Sequence, residues 1–275
     1  MSEIICVTND EVKKGSKLKA EHVLSLWIQL EHTAVLFDTG MTPEVLDHNL
    51  RELGLSPINI DALVFSHAHN DHTGGVSAIF PERTTIPLIA HSDLFTARYS
   101  NRNQVYSFIG ISMKESDLSH YFYLKLTDEA VEVEPDLWTT GAILKRPERM
   151  GASKHHLIHT EEGWLPDPYL DDLSLVLKTP AGNVLICGCC HAGILNTLYH
   201  AEEKFGGPFI AVVGGTHLAV ADDEYLDFII DTFEERYPGC DFYLNHCTGT
   251  HAIRRMQERL GTRVNPFLAG DSIQF

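Results

Sequence analysis

Apolar runs that end in polar, glycine-rich or histidine-rich turns recur along the first part of the chain and predict alternating strands and helices. Residues 22–30 (HVLSLWIQL) and 33–40 (TAVLFDTG) are rich in β-branched and aromatic residues, which predicts two neighbouring strands of a meander. Helical periodicity follows over TPEVLDHNLRELGL, with Thr42 as N-cap, Pro43 at the first helical position and Gly54 past the end. ALVFSH then predicts a short buried strand, and GGVSAIF predicts the start of another helix.

The second half of the chain alternates strands with helices more regularly. SLVLKT and NVLICGC predict a hairpin around residues 180–182, and AGILNTLYHAEEKFG predicts a helix after it. FIAVVGG, a helix from about Asp222 to Tyr237, DFYLNHC, a helix over THAIRRMQERLG and a last strand near DSIQF complete the pattern. An antiparallel meander followed by alternating strands and helices predicts an α/β fold, with two sheets covered by helices in a single domain over residues 1–275.

Residues 81–170 show less regular patterning, with many aromatic and polar residues and several prolines. We interpret this stretch as an insertion that serves as a lid or substrate-selecting loop, or else as a plain connecting segment. It contains KHHLIHT, in which Lys154, His155, His156 and His159 would bind an anionic group if the loop covers a cleft. The simpler interpretation is a solvated loop.

Composition narrows the classes of partner. The 275 residues include 21 Lys and Arg against 38 Asp and Glu, a formal charge of -17, which disfavours nucleic acid as a partner. A small anionic substrate remains compatible, because bound metal ions reverse the local field. The chain has no signal-like N-terminus and no run near the ~18 apolar residues of a membrane helix, so we expect a soluble, cytoplasmic protein without a membrane partner. Three of the six cysteines fall within residues 187–190, which suits reduced thiols better than a disulfide framework.

The stretch SHAHNDHTGG, residues 66–75, carries the strongest chemical signal. Alternation along an extended segment places His67 and His69 on the same side, where two imidazoles can bind one ion. Asp71 and His72 follow at the turn, within reach of a second ion, and the paired glycines allow a close backbone approach. The pattern predicts a two-metal site. The alternative is a chance cluster of surface histidines in a chain that has 16.

This stretch resembles the H-x-H-x-D-H motif of the metallo-β-lactamase superfamily, with LFDTG ahead of it where that superfamily has its structural aspartate. The resemblance implies a four-layer αββα sandwich with a dinuclear metal site at one edge. It extends to a branch identified in archaea with dihydropteroate-synthase-like enzymes of methanopterin biosynthesis. The segments that carry this second resemblance are AEHVLSLWIQL, LFDTG, DDLSLVL, LICGCCHAGILNTL, VVGGTHL and NHCTGTHA.

The sequence departs from the superfamily pattern in the second half. There the superfamily has a third histidine ligand before a hairpin, and a second hairpin strand that ends in Gly-Asp, whose aspartate bridges the ions. Here the hairpin begins with DDLSLVL, and its second strand ends in Gly188-Cys189. We expect His191 to replace the missing histidine, the alternative being a histidine at the start of a helix that binds no metal. Cys189 is either a thiolate ligand or a buried thiol that packs as a small apolar group.

Other candidate residues stand at predicted strand ends. His246 lies where the superfamily has its last histidine ligand, the alternative being a histidine that only hydrogen-bonds the turn. His217 follows two glycines and has three open roles besides a structural one: metal ligand, base or substrate-binding group. We expect Asp38 to orient the histidine loop without contacting metal, the alternative being a turn aspartate with no link to the site.

The expected cofactors are two divalent metal ions, zinc foremost, with manganese or iron as alternatives. In this hypothesis His67, His69 and His191 bind one ion, Asp71, His72 and His246 bind the other, and Asp71 also assists proton transfer. Such a pair activates water, which predicts a hydrolase of a small phosphorylated or ester-bearing metabolite. The first alternative, implied by the resemblance, is a transferase that joins a pterin-methyl diphosphate to an aminobenzene compound. Further alternatives are a non-catalytic metal- or ligand-binding protein and a redox-active di-iron protein.

Overall fold

A computed structural model describes residues 1–80 and 85–275 of the chain. They group into two units. Unit 1 comprises Met1–Asp128, Ala152–Asp171 and Leu268–Phe275, and unit 2 comprises Glu129–Gly151 and Asp172–Phe267. Within the described ranges, no helix is at once long and apolar enough to cross a membrane.

Unit 1 contains a mixed sheet of seven strands among its described residues. In spatial order they are β18 (Ser272–Gln274), β1 (Glu3–Thr8), β2 (Ser25–Gln29), β3 (Ala34–Phe37), β4 (Ala62–Val64), β5 (Ile86–Ala90) and β8 (Phe122–Leu126). β2 and β3 are the predicted strands of an antiparallel meander, which β1 extends without having been predicted, whereas β3, β4, β5 and β8 run parallel. All four residues of β3 and all three of β4 are buried, the pattern of central parallel strands.

Helix α1 (Pro43–Glu52) joins β3 to β4 and confirms the predicted helix. Pro43 occupies its first turn, where a missing N–H costs nothing, and Gly54 adopts a φ of +71° past its end. Thr42 is the N-cap residue, but its side chain makes no capping bond to the helix. It instead donates to Glu21, whose Oε2 also accepts the Thr42 N–H.

The prediction that a helix begins in GGVSAIF is wrong. The chain forms one turn of α-helix earlier, α2 (Asn70–Thr73), and then a single 3-10 turn over Val76–Ile79. Phe80 precedes a proline in the sequence and has a ψ of 121°, because a residue before proline avoids the helical region.

Unit 1 also carries a four-stranded antiparallel sheet. Its spatial order is β12 (Gly163–Pro166), β11 (His156–Thr160), β6 (Arg98–Arg102) and β7 (Val105–Phe108). These strands, and the short helix α3 (Glu115–Leu118), lie in the stretch for which the sequence predicts little regularity. Every residue of β7 is exposed, so no buried–exposed alternation marks it in the sequence. Residues 81–84 of that stretch lie outside the described residues, and its role as a lid stays a prediction.

Unit 2 contains the second large sheet, again of seven strands in the described part. Their spatial order is β17 (Val264–Pro266), β16 (Asp241–Leu244), β15 (Phe209–Gly214), β14 (Gly182–Cys187), β13 (Ser174–Thr179), β10 (Leu137–Thr139) and β9 (Glu132–Glu134). β13 and β14 form the predicted hairpin, and β14 to β17 run parallel. The predicted helices are confirmed as α4 (Ile194–Phe205), α5 (Asp223–Arg236) and α6 (Thr250–Leu260).

Candidate metal centre

In unit 1 the candidate residues follow the carboxyl ends of two neighbouring parallel strands. Phe37 of β3 pairs with Val64 of β4, so the residues after these strands meet at one edge of the sheet. Asp38 comes directly after β3, is fully buried and has a φ of +62°. A non-glycine residue in this region carries backbone strain, of the kind that concentrates at functional sites.

The Asp38 carboxylate accepts three hydrogen bonds from the histidine loop, residues 66–72. Its Oδ2 accepts from Nδ1 of His72 at 2.7 Å and from Oγ of Ser66 at 2.7 Å, and its Oδ1 accepts the Ser66 N–H at 2.7 Å. Ser66 Oγ also lies 2.8 Å from Nδ1 of His67. Since the single hydroxyl proton of Ser66 goes to the carboxylate, His67 Nδ1 must donate to Ser66. Both His67 and His72 therefore carry their proton on Nδ1, which leaves the lone pair on Nε2, where a metal ion binds.

The first two histidines of the motif are in direct contact. Nε2 of His67 lies 3.0 Å from Nδ1 of His69, so the two rings meet on one side of the loop, as the alternation predicts. Two ligand nitrogens of a tetrahedral zinc ion lie about 3.3 Å apart, so this spacing fits a shared ion. Burial lowers the pKa of His69 well below the usual value, against the opposing charge of Asp71. Neutral imidazole is the form that binds metal.

Asp71 and His72 lie on the one-turn helix α2. His72 is completely buried, and its ring centroid lies 4.2 Å from that of His67. The Asp71 side chain is 18% exposed, and its Oδ2 lies 3.9 Å from Nε2 of His72. Asp71 is thus both close to the histidine nitrogens and open to solvent, which suits a group that exchanges protons.

The two glycines after the motif allow a close backbone approach. A Cβ atom on Gly74 would collide with the carbonyl oxygen of Met41, and one on Gly75 with that of Thr39. Neither glycine has a positive φ, so small size, and not conformational freedom, is what these positions require.

Two histidines of KHHLIHT, His156 and His159, contact different groups in the structure. His156 lies in β11 with its ring 5.0 Å from that of His69, and its Nδ1 is hydrogen-bonded to Tyr169 Oη at 2.9 Å. Burial lowers the pKa of His156 to about 4. His159, by contrast, packs its ring on Trp164 at 4.7 Å. His156 and His159 thus belong to strand β11, whereas the simpler interpretation placed them in a solvated loop.

In unit 2 the candidate residues follow three adjacent parallel strands. Cys189 and His191 come after β14, His217 after β15 and His246 after β16. Cys189, His191 and His246 are buried, and His217 is half-buried. His217 and His246 have φ values of 51° and 48°, so backbone strain recurs at these strand ends as it does at Asp38.

His191 has its tautomer fixed by the backbone. Its Nδ1 lies 3.0 Å from the carbonyl oxygen of Gly151, and because a carbonyl only accepts, Nδ1 carries the proton and Nε2 the lone pair. The His217 ring lies 4.4 Å from that of His191. A Cβ atom on Gly151 would lie 2.8 Å from Cβ of His217 and 3.0 Å from the Cys190 carbonyl oxygen, so only glycine fits beside the two histidines.

The cysteines of unit 2 differ in their surroundings. None of the six cysteines of the chain forms a disulfide, as the sequence predicts. Burial raises the pKa of Cys190 well above the usual value, and its thiol donates to Thr197, which fits a packing role. The Cys247 thiol donates to the Cys189 carbonyl oxygen at 3.5 Å and accepts the His217 N–H at 3.3 Å. This cysteine, which the sequence did not single out, supports the loops that carry Cys189 and His217.

Comparison with known proteins identifies the family. The sequence profile of the metallo-beta-lactamase superfamily matches residues 18–192, more than half of the chain. The chain belongs to this superfamily. A solved structure of Tm1679, described as a metal-dependent hydrolase of the beta-lactamase superfamily, superposes with a TM-score of 0.85 at 24% identity, covering 100% of this chain and 99% of Tm1679. The predicted α/β fold of the metallo-β-lactamase type is therefore confirmed.

A full-length relative confirms the second resemblance. The chain is 27% identical to 7,8-dihydropterin-6-methyl-4-(beta-D-ribofuranosyl)-aminobenzene-5'-phosphate synthase of Methanocaldococcus jannaschii, over 99% of this chain and 96% of that protein. Zinc-bound PqqB from Methylobacterium extorquens shares the fold with a TM-score of 0.57, at 9% identity over 99% of this chain and 100% of PqqB. Members of this superfamily are typically enzymes that bind divalent metals. The ligand roles of the individual residues stay predictions.

Proposed function

We propose that the protein is a metal-dependent hydrolase of a small phosphorylated or ester-bearing metabolite. The observation that carries the proposal is the fixed tautomer of three buried histidines, His67, His72 and His191. Each has its Nδ1 proton held by an acceptor, which leaves Nε2 as the ligand atom. A chance cluster of histidines has no reason to share this arrangement.

The proposed ligands are those expected from the sequence. In unit 1, His67 and His69 contribute to one ion, and Asp71 and His72 to a second. In unit 2, His191 and His246 offer further imidazole ligands, and Cys189 offers a thiolate where the superfamily has its bridging aspartate. Zinc suits this mixture of imidazole, carboxylate and thiolate, with manganese or iron as alternatives.

When bound, such ions acidify water and stabilise negative charge on an attacked phosphoryl or carbonyl oxygen. Residues of the chain transfer protons and contact the substrate. Asp71, partly exposed beside His72, accepts and returns the proton of the reacting group. His217, half-buried beside His191, acts as the second proton-transfer or substrate-binding group. Because the chain has a net charge of -17, positive charge for an anionic substrate has to come largely from the ions.

The test is hydrolysis by metal-loaded protein of a chromogenic phosphodiester, phosphomonoester and carboxylic ester. We expect turnover of at least one class, loss of turnover on chelation, and recovery when zinc or manganese is restored. Asp71→Asn should lose most of kcat, whereas His32→Ala, a change at an exposed turn of unit 1, should not. Equal activity of Asp71→Asn and wild type would contradict the assignment.

A second candidate is a transferase that joins a pterin-methyl diphosphate to an aminobenzene compound. The full-length relation to the Methanocaldococcus synthase favours it, and so does the departure from the bridging aspartate at Cys189. In this reaction the aniline nitrogen or ring attacks the pterin methylene carbon, the carbon–oxygen bond breaks, and diphosphate and a proton leave. Diphosphate release that requires both substrates would favour the transferase, whereas release from the pterin compound alone would favour the hydrolase.

A further inference from the structure

A buried cluster of charged residues in unit 1 is outside the proposed ligand set. The guanidinium of Arg98 is completely buried, an unusual position for arginine, and ion-pairs with three carboxylates. Its Nη2 lies 2.6 Å from Asp93 Oδ2 and 2.9 Å from Asp171 Oδ1, and its Nε lies 3.2 Å from Asp167 Oδ2. Nη1 donates to the backbone carbonyl oxygens of Asp93 and Thr96 at 3.0 and 2.9 Å.

Asp171 connects this cluster to the histidine motif. Its second oxygen, Oδ2, accepts the backbone N–H of Ala68 at 2.7 Å, and Ala68 is the residue between His67 and His69. The side chains of Asp171 and Arg98 are almost or completely inaccessible to solvent. A hydrogen bond to an ionised group is stronger than one between neutral groups, and leaving its donor buried without an acceptor destabilises the fold.

The neighbouring N–H groups of the loop show why this bond matters. β4 ends at Val64, so the sheet ladder no longer holds the backbone at residues 66–70. The Ser66 N–H instead donates to Asp38, and the Asn70 N–H donates to the carbonyl oxygen of Ile109 at 2.8 Å. Because Asp171 accepts the Ala68 N–H, every second N–H group of residues 66–70 has an acceptor. Between these residues, Nε2 of His67 and Nδ1 of His69 lie 3.0 Å apart.

We propose that Arg98 and Asp171 are positioning residues, which hold the loop so that the nitrogens of His67 and His69 face one ion. The inference rests on the metal site of the proposed function. A carboxylate is required, because it accepts from Ala68 with one oxygen and faces Arg98 with the other. An amide at this position would turn its NH2 group toward one of these two donors.

The adjacent residue makes the corresponding bond in unit 2. Asp172 Oδ2 accepts the backbone N–H of Ala192 at 2.8 Å, and Ala192 directly follows His191. The dipeptide Asp171-Asp172 thus anchors one histidine loop in each unit through the same kind of bond. This recurrence supports a positioning role over a chance contact.

The test compares Asp171→Asn with Asp93→Asn in the full chain. Both substitutions remove one negative charge facing the same Arg98 nitrogen, but only Asp171 contacts the histidine loop. Zinc affinity is measured by competition with a chromogenic chelator, and the coordination geometry by the visible spectrum of the cobalt-loaded protein. We expect Asp171→Asn to weaken affinity by about tenfold to a hundredfold and to change the spectrum, with Asp93→Asn close to wild type.

Several outcomes would overturn the inference. Wild-type affinity and spectrum in Asp171→Asn would do so, and so would equal losses in both variants, which would indicate a general effect of charge on folding. If Asp171→Asn does not fold, the Arg98→Lys variant is measured in its place. Unchanged zinc affinity in Arg98→Lys would contradict the inference. Wild-type protein that binds no zinc would contradict the proposed function itself and this inference with it.

Discussion

Nδ1 of His72 donates a hydrogen bond to Oδ2 of Asp38 across 2.7 Å, and both side chains are completely buried. Asp38→Asn tests this relationship with little disturbance of the backbone, because asparagine tolerates the positive φ at this position. The amide replaces one acceptor with a donor, so either His72 or Ser66 loses its partner. We expect zinc affinity to fall by about tenfold to a hundredfold.

The measurement is chelator competition, with circular dichroism of each variant as the check on folding. Unchanged zinc affinity in folded Asp38→Asn would contradict the claim that Asp38 fixes the ligand tautomers.

Gly151 should be intolerant of a side chain. In Gly151→Ala the added methyl group would lie within 2.8 Å of His217 Cβ, so the His191 and His217 loops must shift. We expect a loss of about 1–3 kcal/mol in the free energy of unfolding, measured with urea, together with weaker zinc binding. Gly239→Ala is the matched control in unit 2, because nothing lies within 4 Å of its added Cβ and its φ is not positive. A similar stability in the two variants would show that the packing around Gly151 is looser than described.

Asp167 should make stability depend on pH in the acid range. Burial raises the pKa of this carboxyl from 3.8 to about 6, outweighing the opposite effect of Arg98. Between these values the folded protein retains a proton that the unfolded chain has released, so the free energy of unfolding falls as pH rises. From about pH 4.5 to about pH 7 the wild type should lose roughly 2 kcal/mol relative to Asp167→Asn. Urea unfolding of both proteins at several pH values checks this, and a constant difference would contradict it.

The sequence predicted the large elements because their burial follows a simple period. The four buried residues of β3 and the amphipathic helix α1, with Pro43 in its first turn, need no knowledge of distant residues. The motif from His67 to His72 was also recognisable, because its residues lie close together in the sequence. The strands in residues 98–108 and 156–166 escaped prediction, because their residues are mostly exposed or half-buried and carry little alternation.

The groups that hold the ligands were largely invisible in the sequence. Ser66 is separated by 28 residues from Asp38, and Ala68 by 103 residues from Asp171. No spacing rule connects such pairs, and a serine next to a histidine or an aspartate after a leucine is unremarkable by itself. The only available signal was the paired Asp171-Asp172 ahead of a buried strand, where charged residues are uncommon.

In the proposed function, the motif histidines bind metal. Metal content per chain, measured by plasma mass spectrometry on protein purified without added metal, tests it most directly. We expect about two ions of zinc, manganese or iron per wild-type chain. His69→Ala should lose at least one of them, and His32→Ala should match the wild type. A wild-type protein without metal, or a His69→Ala variant with the full complement, would contradict the account.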